Sequence, residues 1–277
     1  MQRAPELENL GMGLFAGFST ALKREPGEGL SQRIEWLLNH SAGLSGNGDQ
    51  GGHAPRSRAP LLLQQVHSAG IVDATRIPGI SAGHAPQPSS IQAEPLADGA
   101  TSTLEHGGVL AVKTADCVPL LAADGERGRY AALHAGWRGT AADILPNLLS
   151  GWKEAGSTLE NVVLALGPHI GDCCYEVGDD CLGQFRAADL DGAVTRNGGR
   201  TRLDLGSVLR TQGERLGVPR SQIVVWSQCT RCHTDAEGRH PYASHRRTSA
   251  GGQVLVHTNV AVIGRLLPPG DSRGDPA

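Results

Sequence analysis

Residues 108–121, GVLAVKTADCVPLL, decide the fold of this chain because they hold two apolar runs on either side of a polar turn. Short apolar runs that are rich in valine and leucine and bounded by turn residues are typical of buried strands. We therefore predict a strand, a tight turn at residues 114–116 and a second strand. Cys117 follows the turn directly and is expected at the end of that second strand.

Another strand and its exit are predicted at residues 129–139, RYAALHAGWRG. The turn-forming run DGERG precedes them, so the pattern predicts a strand that ends at His134. Gly136 and Gly139 then allow the chain to leave this strand through a tight turn.

The remaining chain alternates short strands and helices with polar loops. Thr140 is expected to cap a helix over residues 141–153, and the apolar run at 61–66 predicts a strand that ends at His67. Further strands are predicted near 11–18 and at 161–166, 223–226 and 253–263, helices near 30–40 and at 177–186 and 203–216, and a turn-rich loop at 191–199.

This order of elements predicts an α/β fold with mixed or antiparallel sheets, because strands follow one another through short turns. At 277 residues the chain is long enough for one large core, so a single domain over residues 1–267 is expected. Loops rich in Gly, Ser and Pro are expected at 41–59 and 77–95, and a disordered polar tail at 268–277.

Composition narrows the classes of partner. The net charge is -3 and no basic patch stands out, so nucleic acid is not an expected partner. Apolar runs stay well short of the ~20 residues of a membrane span, and the N-terminus lacks the pattern of a signal peptide. We therefore expect a cytoplasmic chain without a membrane partner, a monomer or small homo-oligomer, whose six cysteines are reduced.

His67, Cys117 and His134 are the candidate metal ligands, since each is predicted at a strand end beside a loop. Two imidazoles and one thiol supply three of the four ligands of a catalytic zinc and leave one position for water. They lie too far apart along the chain for a zinc finger. The alternative for each residue alone is a hydrogen-bonded histidine or a small core cysteine.

Four segments resemble the multicopper polyphenol oxidase, or laccase-domain, family, which is described as zinc-dependent purine nucleoside phosphorylases. They are QVHS at 65–68, TADCVPLL at 114–121, HAGWRGTAADIL at 134–145 and LGPHIGDCCYEVG at 166–178. The resemblance implies a layered α/β sandwich and a metal on His67, Cys117 and His134. Residues 21–29 depart from the family pattern, so no substrate contact is carried over from them.

Charged and polar residues near these motifs are candidates for the chemistry. Asp116 and Asp98 are expected to orient a ligand histidine or to move protons. Asp98 is also a candidate substrate contact, and alternatively only a turn residue. Arg138 suits a phosphate or oxyanion contact, with a buried ion pair to Asp116 or Asp98 as the equal alternative. His169 lies in a Gly-rich turn whose N–H groups suit an anion, or which only joins a strand to a loop.

Two further segments near the C-terminus have predicted roles. Residues 241–247, PYASHRR, resemble a family segment that lines the active-site cleft, and they make Arg246 a candidate substrate contact. Residues 229–233, CTRCH, suit a second structural metal site, but a second cysteine pair at matching spacing is missing. The adjacent pair Cys173-Cys174 does not supply that pattern, and a family-like loop is the favoured interpretation.

The resemblance implies phosphorolysis of adenosine, inosine and methylthioadenosine with zinc, together with adenosine deamination. The partners are then a small-molecule nucleoside and phosphate. Cys117 as a nucleophile with His134 or His67 as base would instead give a metal-free hydrolase. For that alternative the resemblance implies editing of peptidoglycan precursors, to which some relatives are linked. Copper-dependent polyphenol oxidation is disfavoured, because the chain has only two Met and no His-x-His pair. A non-catalytic zinc-stabilised binding module is the remaining alternative.

Overall fold

The computed structural model describes residues 2–8, 14–20, 22–23, 60–77, 94–187, 193–197, 199–255 and 257–265. Two stacked sheets, a separate two-stranded sheet and a layer of helices make up this part of the chain, a single α/β domain with mixed and antiparallel sheets. The predicted fold class is therefore confirmed. The helix predicted near 30–40, the loop at 41–59, most of the loop at 77–95 and the tail at 268–277 lie outside the described residues.

The bounds of the elements follow the chain in order. The strands are β1 Gln2–Arg3, β2 Leu14–Phe18, β3 Leu22–Lys23, β4 Ile71–Asp73, β5 Gly99–Thr103, β6 Gly108–Thr114, β7 Val118–Asp124, β8 Arg129–Ala135, β9 Val162–Leu166, β10 Val194–Asn197, β11 Arg200–Leu203, β12 Ile223–Val225 and β13 His257–Arg265. The α-helices are α1 Pro5–Glu8, α2 Trp137–Ala141, α3 Ile144–Glu154, α4 Asp179–Ala187, α5 Leu205–Leu216 and α6 His245–Ala250. None of the described helices is both long enough and apolar enough to cross a bilayer.

The central sheet has six strands in the order β12-β9-β7-β8-β5-β4, with parallel pairs at both edges and antiparallel pairs between them. The outer sheet joins β1, β2, β13 and β3, and β6 also pairs with β13. Side chains of the central strands alternate between two cores, as a period of two requires. In β7, Leu120 and Ala122 face the helices, whereas Leu121 and Ala123 face the outer sheet.

The two strands predicted at residues 108–121 exist, but they belong to different sheets. The first, β6, pairs with β13, and the second, β7, pairs with β8 and β9. The turn between them crosses from one sheet to the other. Asp116 in this turn has φ 95, a left-handed conformation that Asp tolerates better than most residues. Cys117 therefore lies where the chain passes from the outer sheet to the central sheet.

Three other local predictions were wrong. The helix expected at 141–153 is split, because Asp143 adopts φ 66 and Pro146 then falls in the first turn of α3, where its missing N–H is harmless. Thr140 therefore lies inside α2 rather than at a cap. Residues 61–66 form two isolated bridges instead of a regular strand. The loop expected at 191–199 contains strand β10, which pairs with β11 just beyond it.

Candidate metal centre

His67, Cys117 and His134 meet at one edge of the central sheet. Their ligand atoms all lie within 4.8 Å of one another. The two imidazole rings stand edge to face with centroids 4.8 Å apart. His134 is buried, Cys117 is half-buried and His67 is exposed, so the cluster faces solvent on the His67 side.

Asp98 fixes the orientation of His134. Its Oδ1 lies 2.8 Å from His134 Nδ1, and a buried carboxylate accepts the Nδ1–H there. Nε2 of His134 is then left to face the other members of the cluster, the arrangement of a histidine metal ligand held by a carboxylate. Burial alone would raise the pKa of Asp98, but hydrogen bonds from His134 and Ser68 hold that pKa well below its usual range.

The same carboxylate also holds the turn that carries His67. Asp98 accepts the backbone N–H of Val66 at 3.2 Å, that of His67 at 3.0 Å and that of Ser68 at 2.5 Å, as well as the Ser68 hydroxyl at 2.8 Å. His67 has φ 60, and this dense set of bonds holds its backbone in the left-handed region. One carboxylate therefore positions two of the three candidate ligands.

Gln65 attaches this turn to the outer sheet. Its side-chain amide donates to the Lys113 carbonyl at 2.7 Å and accepts the Lys113 N–H at 2.8 Å. The amide thus takes the place of a strand neighbour at the end of β6. These two hydrogen bonds hold the segment before His67 against the sheet, where its backbone forms only isolated bridges.

Gly136 and Gly139 are required because neighbouring atoms lie close to the position that a Cβ would take. Backbone conformation is not the reason, since neither residue has a positive φ. A Cβ on Gly136 would lie 3.0 Å from Cys117 Sγ and 3.1 Å from His67 Cδ2. A Cβ on Gly139 would lie 2.6 Å from the Ser68 carbonyl oxygen. The sequence pattern predicted that both glycines allow a tight turn after the strand. In the structure, their missing Cβ atoms leave space for the side chains of Cys117 and His67 and for the turn at Ser68.

The three side chains also perturb one another electrostatically. Burial raises the pKa of Cys117, but hydrogen bonds from His134 and His67 outweigh it and lower that pKa to about 7. Burial lowers the pKa of His134, but Asp98 and Cys117 raise it to about 9. Without a metal the pair therefore favours a thiolate beside an imidazolium, which suits either a metal ligand or a nucleophile.

Asp116 links three loops around Cys117. Its carboxylate accepts the Thr230 hydroxyl at 2.7 Å and the Arg246 N–H at 2.7 Å, and its carbonyl accepts the Ile170 N–H at 2.9 Å. Both carboxylate oxygens therefore have protein donors. This geometry favours an orienting role for Asp116 over proton transfer.

The candidate substrate residues are placed in two different environments. Arg138 is exposed, with its guanidinium 4.3 Å from the Trp137 ring centroid, so a buried ion pair with Asp98 or Asp116 is wrong. Arg246 lies 5.1 Å over the Tyr175 ring. A cleft beside the cluster is lined by Trp137, Tyr175, Val177, Gly178, Asp180, Cys181 and Arg246.

Asp98 and His169 do not fit the substrate contact that was expected of them. Asp98 is 0% exposed and its oxygens are occupied as described. His169 is buried with Nδ1 2.8 Å from the Gly167 carbonyl, and its Nε2 lies against Gly206 at the start of α5. Burial lowers the pKa of His169, so a neutral ring is favoured. Both residues are placed to position the surrounding backbone.

A second cluster contains only cysteines. The Sγ atoms of Cys173, Cys174, Cys229 and Cys232 all lie within 4.8 Å of one another. The sequence favoured a family-like loop for residues 229–233, because the adjacent pair Cys173-Cys174 does not have the C-x-x-C spacing. The fold nevertheless brings this pair to Cys229 and Cys232.

Comparisons with known proteins agree with this architecture. Residues 51–258 match the family model described as multi-copper polyphenol oxidoreductase laccase. A purine nucleoside phosphorylase of Deinococcus radiodurans is 37% identical over 185 residues, 67% of this chain and 63% of that protein. Adenosine deaminase RL5, from an unknown prokaryotic organism, is 38% identical over 134 residues, 47% of this chain and 51% of that protein. The chain thus matches about half to two thirds of these relatives' length.

A solved structure is similar over nearly the whole chain. YlmD from Geobacillus stearothermophilus has a TM-score of 0.69 at 26% identity, covering 95% of this chain and 94% of that one. The shared fold therefore extends beyond the segments that carry the sequence motifs.

Proposed function

The chain belongs to the family described as multi-copper polyphenol oxidoreductase laccase, and from that premise we propose that it is a zinc-dependent purine nucleoside phosphorylase. Adenosine deamination is proposed as a second activity. The observation that carries the proposal is the cluster of His67, Cys117 and His134, oriented by Asp98, in a chain whose relatives are called purine nucleoside phosphorylase and adenosine deaminase.

The residues present fit a zinc ion. His67 and His134 offer nitrogen, Cys117 offers sulfur, and the missing Cβ of Gly136 leaves space beside two of these three ligands. Bound there, zinc would supply a Lewis acid and would lower the pKa of a coordinated water. The donor set does not favour an oxidase with several copper ions, because the sequence has only two Met, both near the N-terminus, and no His-x-His pair.

The cleft beside the cluster suits the two reactants of phosphorolysis. In this reaction a phosphate oxygen bonds to ribose C1′ while the bond from C1′ to the purine nitrogen breaks. Arg246, which lines the cleft, and Arg138, which stacks on the cleft residue Trp137, supply guanidinium groups for the phosphate. The rings of Tyr175 and Trp137 supply aromatic walls against which a purine or ribose can pack. Asp98 and Asp116 keep the ligands and the cleft loops in place.

The direct test is the phosphate dependence of nucleoside consumption. Purified chain is given adenosine or inosine, with and without phosphate, and the products are separated chromatographically. Free base and ribose 1-phosphate are expected only with phosphate, and inosine formed from adenosine without phosphate reports deamination. His134→Ala is expected to abolish both, whereas His240→Ala, at an exposed imidazole, is the matched control. Base release at equal rates without phosphate would contradict phosphorolysis.

A second candidate function follows from the position of Cys117 between two imidazoles. A thiolate there, with His134 as the acid and base, is the arrangement of a cysteine hydrolase. Metal content separates the two functions, because a thiolate bound to zinc is not free to attack. An active chain that carries no zinc and is inactivated by alkylation of Cys117 would favour the hydrolase.

A further inference from the structure

Four cysteines from two distant segments converge beyond the parallel strands β9 and β12. These strands are neighbours in the central sheet, so the segments that follow them leave from the same edge. A parallel bridge between His169 and Cys229 keeps the segments together, and the Thr230 N–H donates to the His169 carbonyl at 2.9 Å. Cys173 and Cys174 lie on the first segment, and Cys229 and Cys232 lie on the second.

The spacing of the sulfur atoms suits one tetrahedral ion. Zinc binds thiolate sulfur at about 2.3 Å, which places neighbouring sulfurs of a tetrahedral site about 3.8 Å apart. The Sγ atoms of Cys173 and Cys232 are 3.6 Å apart, and all four Sγ atoms lie within 4.8 Å of one another. The remaining Sγ pairs therefore need to shorten by about 1 Å or less to reach the tetrahedral spacing.

The surrounding backbone provides donors for ionised sulfur. The Gly171 N–H donates to Cys229 Sγ at 3.3 Å, and the backbone N–H groups of Cys232 and Arg231 also donate to it. Hydrogen bonds of this kind orient and stabilise the thiolate ligands of a metal.

The four sulfurs require a compensating positive charge once they are ionised. Four thiolates this close repel one another unless a cation lies between them. Arg231 donates to the Cys174 carbonyl at 3.3 Å and brings positive charge to the same place.

We propose that Cys173, Cys174, Cys229 and Cys232 bind a second, structural zinc ion in a closed site of four thiolates. Sites with four protein ligands have no open position for water and act in stability rather than in chemistry. The ion clamps the segment after β9 to the segment after β12. This site is separate from the cluster of His67, Cys117 and His134.

The two segments that the zinc ion would join also carry residues next to the cleft and next to Cys117. Tyr175 follows Cys174 and forms one wall, while Thr230 follows Cys229 and donates to Asp116 beside Cys117. Arg247 joins the second segment to α6 by donating to the carbonyls of Thr230 at 2.6 Å and Arg231 at 3.0 Å. The metal site itself is independent of the proposed function, and only its effect on turnover depends on it.

Zinc content of the full-length chain, purified with reductant and zinc, tests the proposal. Two zinc ions per chain are expected in the wild type. One is expected in Cys174→Ser/Cys232→Ser and one in His67→Ala/His134→Ala. Cys181→Ala, at a buried cysteine outside both clusters, is the matched control and should keep two.

X-ray absorption at the zinc edge gives a second readout on His67→Ala/His134→Ala. Four sulfurs at about 2.3 Å and no nitrogen at about 2.0 Å are expected around its remaining zinc. If Cys174→Ser/Cys232→Ser does not fold, the spectrum of His67→Ala/His134→Ala tests the proposal by itself.

A single zinc in the wild type that survives in Cys174→Ser/Cys232→Ser overturns the proposal. Disulfides among the four cysteines, seen by intact mass after purification with reductant, overturn it as well. Absence of nucleoside phosphorolysis leaves the expected zinc count unchanged, so failure of the proposed function is distinguishable.

Discussion

The two clusters of candidate ligands are built in opposite ways from neighbouring parts of one sheet. The cluster of His67, Cys117 and His134 has three candidate ligands, one exposed side and a buried carboxylate that orients two of its members. The cluster of four cysteines has a full set of ligands and is held by backbone N–H groups. An incomplete set suits a site that receives substrate, and a complete set suits a site that holds loops.

Cys117→Ser against Cys232→Ser is the strongest test of this contrast. Loss of Cys117 removes a ligand of the proposed catalytic metal, so kcat/KM for phosphorolysis should fall on the order of 10³-fold or more. Loss of Cys232 should reduce kcat/KM by less than about 10-fold while lowering the melting temperature by about 4–10 °C. Steady-state kinetics and thermal unfolding measure both. Equal losses of activity in the two variants would contradict a catalytic role for the first cluster and a structural role for the second.

Asp98→Asn tests whether the first cluster depends on its carboxylate. The amide preserves shape but removes the charge that accepts the His134 Nδ1–H and the three backbone N–H groups. Loss of such a partner lowers metal affinity or activity by about 10–100-fold. Zinc titration with a competing chelator measures the change. Asp73→Asn, whose carboxylate caps a remote turn, is the control and should bind zinc as the wild type does.

Gly139→Ala and Gly151→Ala compare a glycine required by close approach with one that is not. A Cβ at Gly139 meets the Ser68 carbonyl at 2.6 Å, so the free energy of unfolding should fall by about 1–3 kcal/mol. A Cβ at Gly151 meets nothing within 4 Å in α3, where alanine should add about 0.5–1 kcal/mol. Urea unfolding measures both, and a destabilised Gly151→Ala would contradict the local packing.

The same contrast explains what the sequence could predict. Each member of the first cluster lies in its own short motif, so the three residues were recognisable before the fold was known. Cys173 and Cys174 join Cys229 and Cys232 only because β9 and β12 are parallel neighbours, a pairing between remote segments. The sheet change at Asp116 was equally hidden, because β6 and β7 are buried on both faces and show no polar alternation.

His169→Gln is expected to give the smallest effect, at a residue between the two clusters. Its Nδ1–H donates to the Gly167 carbonyl, and glutamine preserves a donor without a titrating ring. Because burial lowers the pKa of His169, the unfolded chain binds this proton more readily than the folded chain does. The wild type therefore loses stability as pH falls below the unfolded value of about 6.5, and the variant loses less. Urea unfolding between pH 8 and pH 5.5 should show the two free energies of unfolding converging as pH falls. His240→Gln, at an exposed imidazole, is the control, and a constant difference between wild type and His169→Gln would mean that His169 contributes only packing.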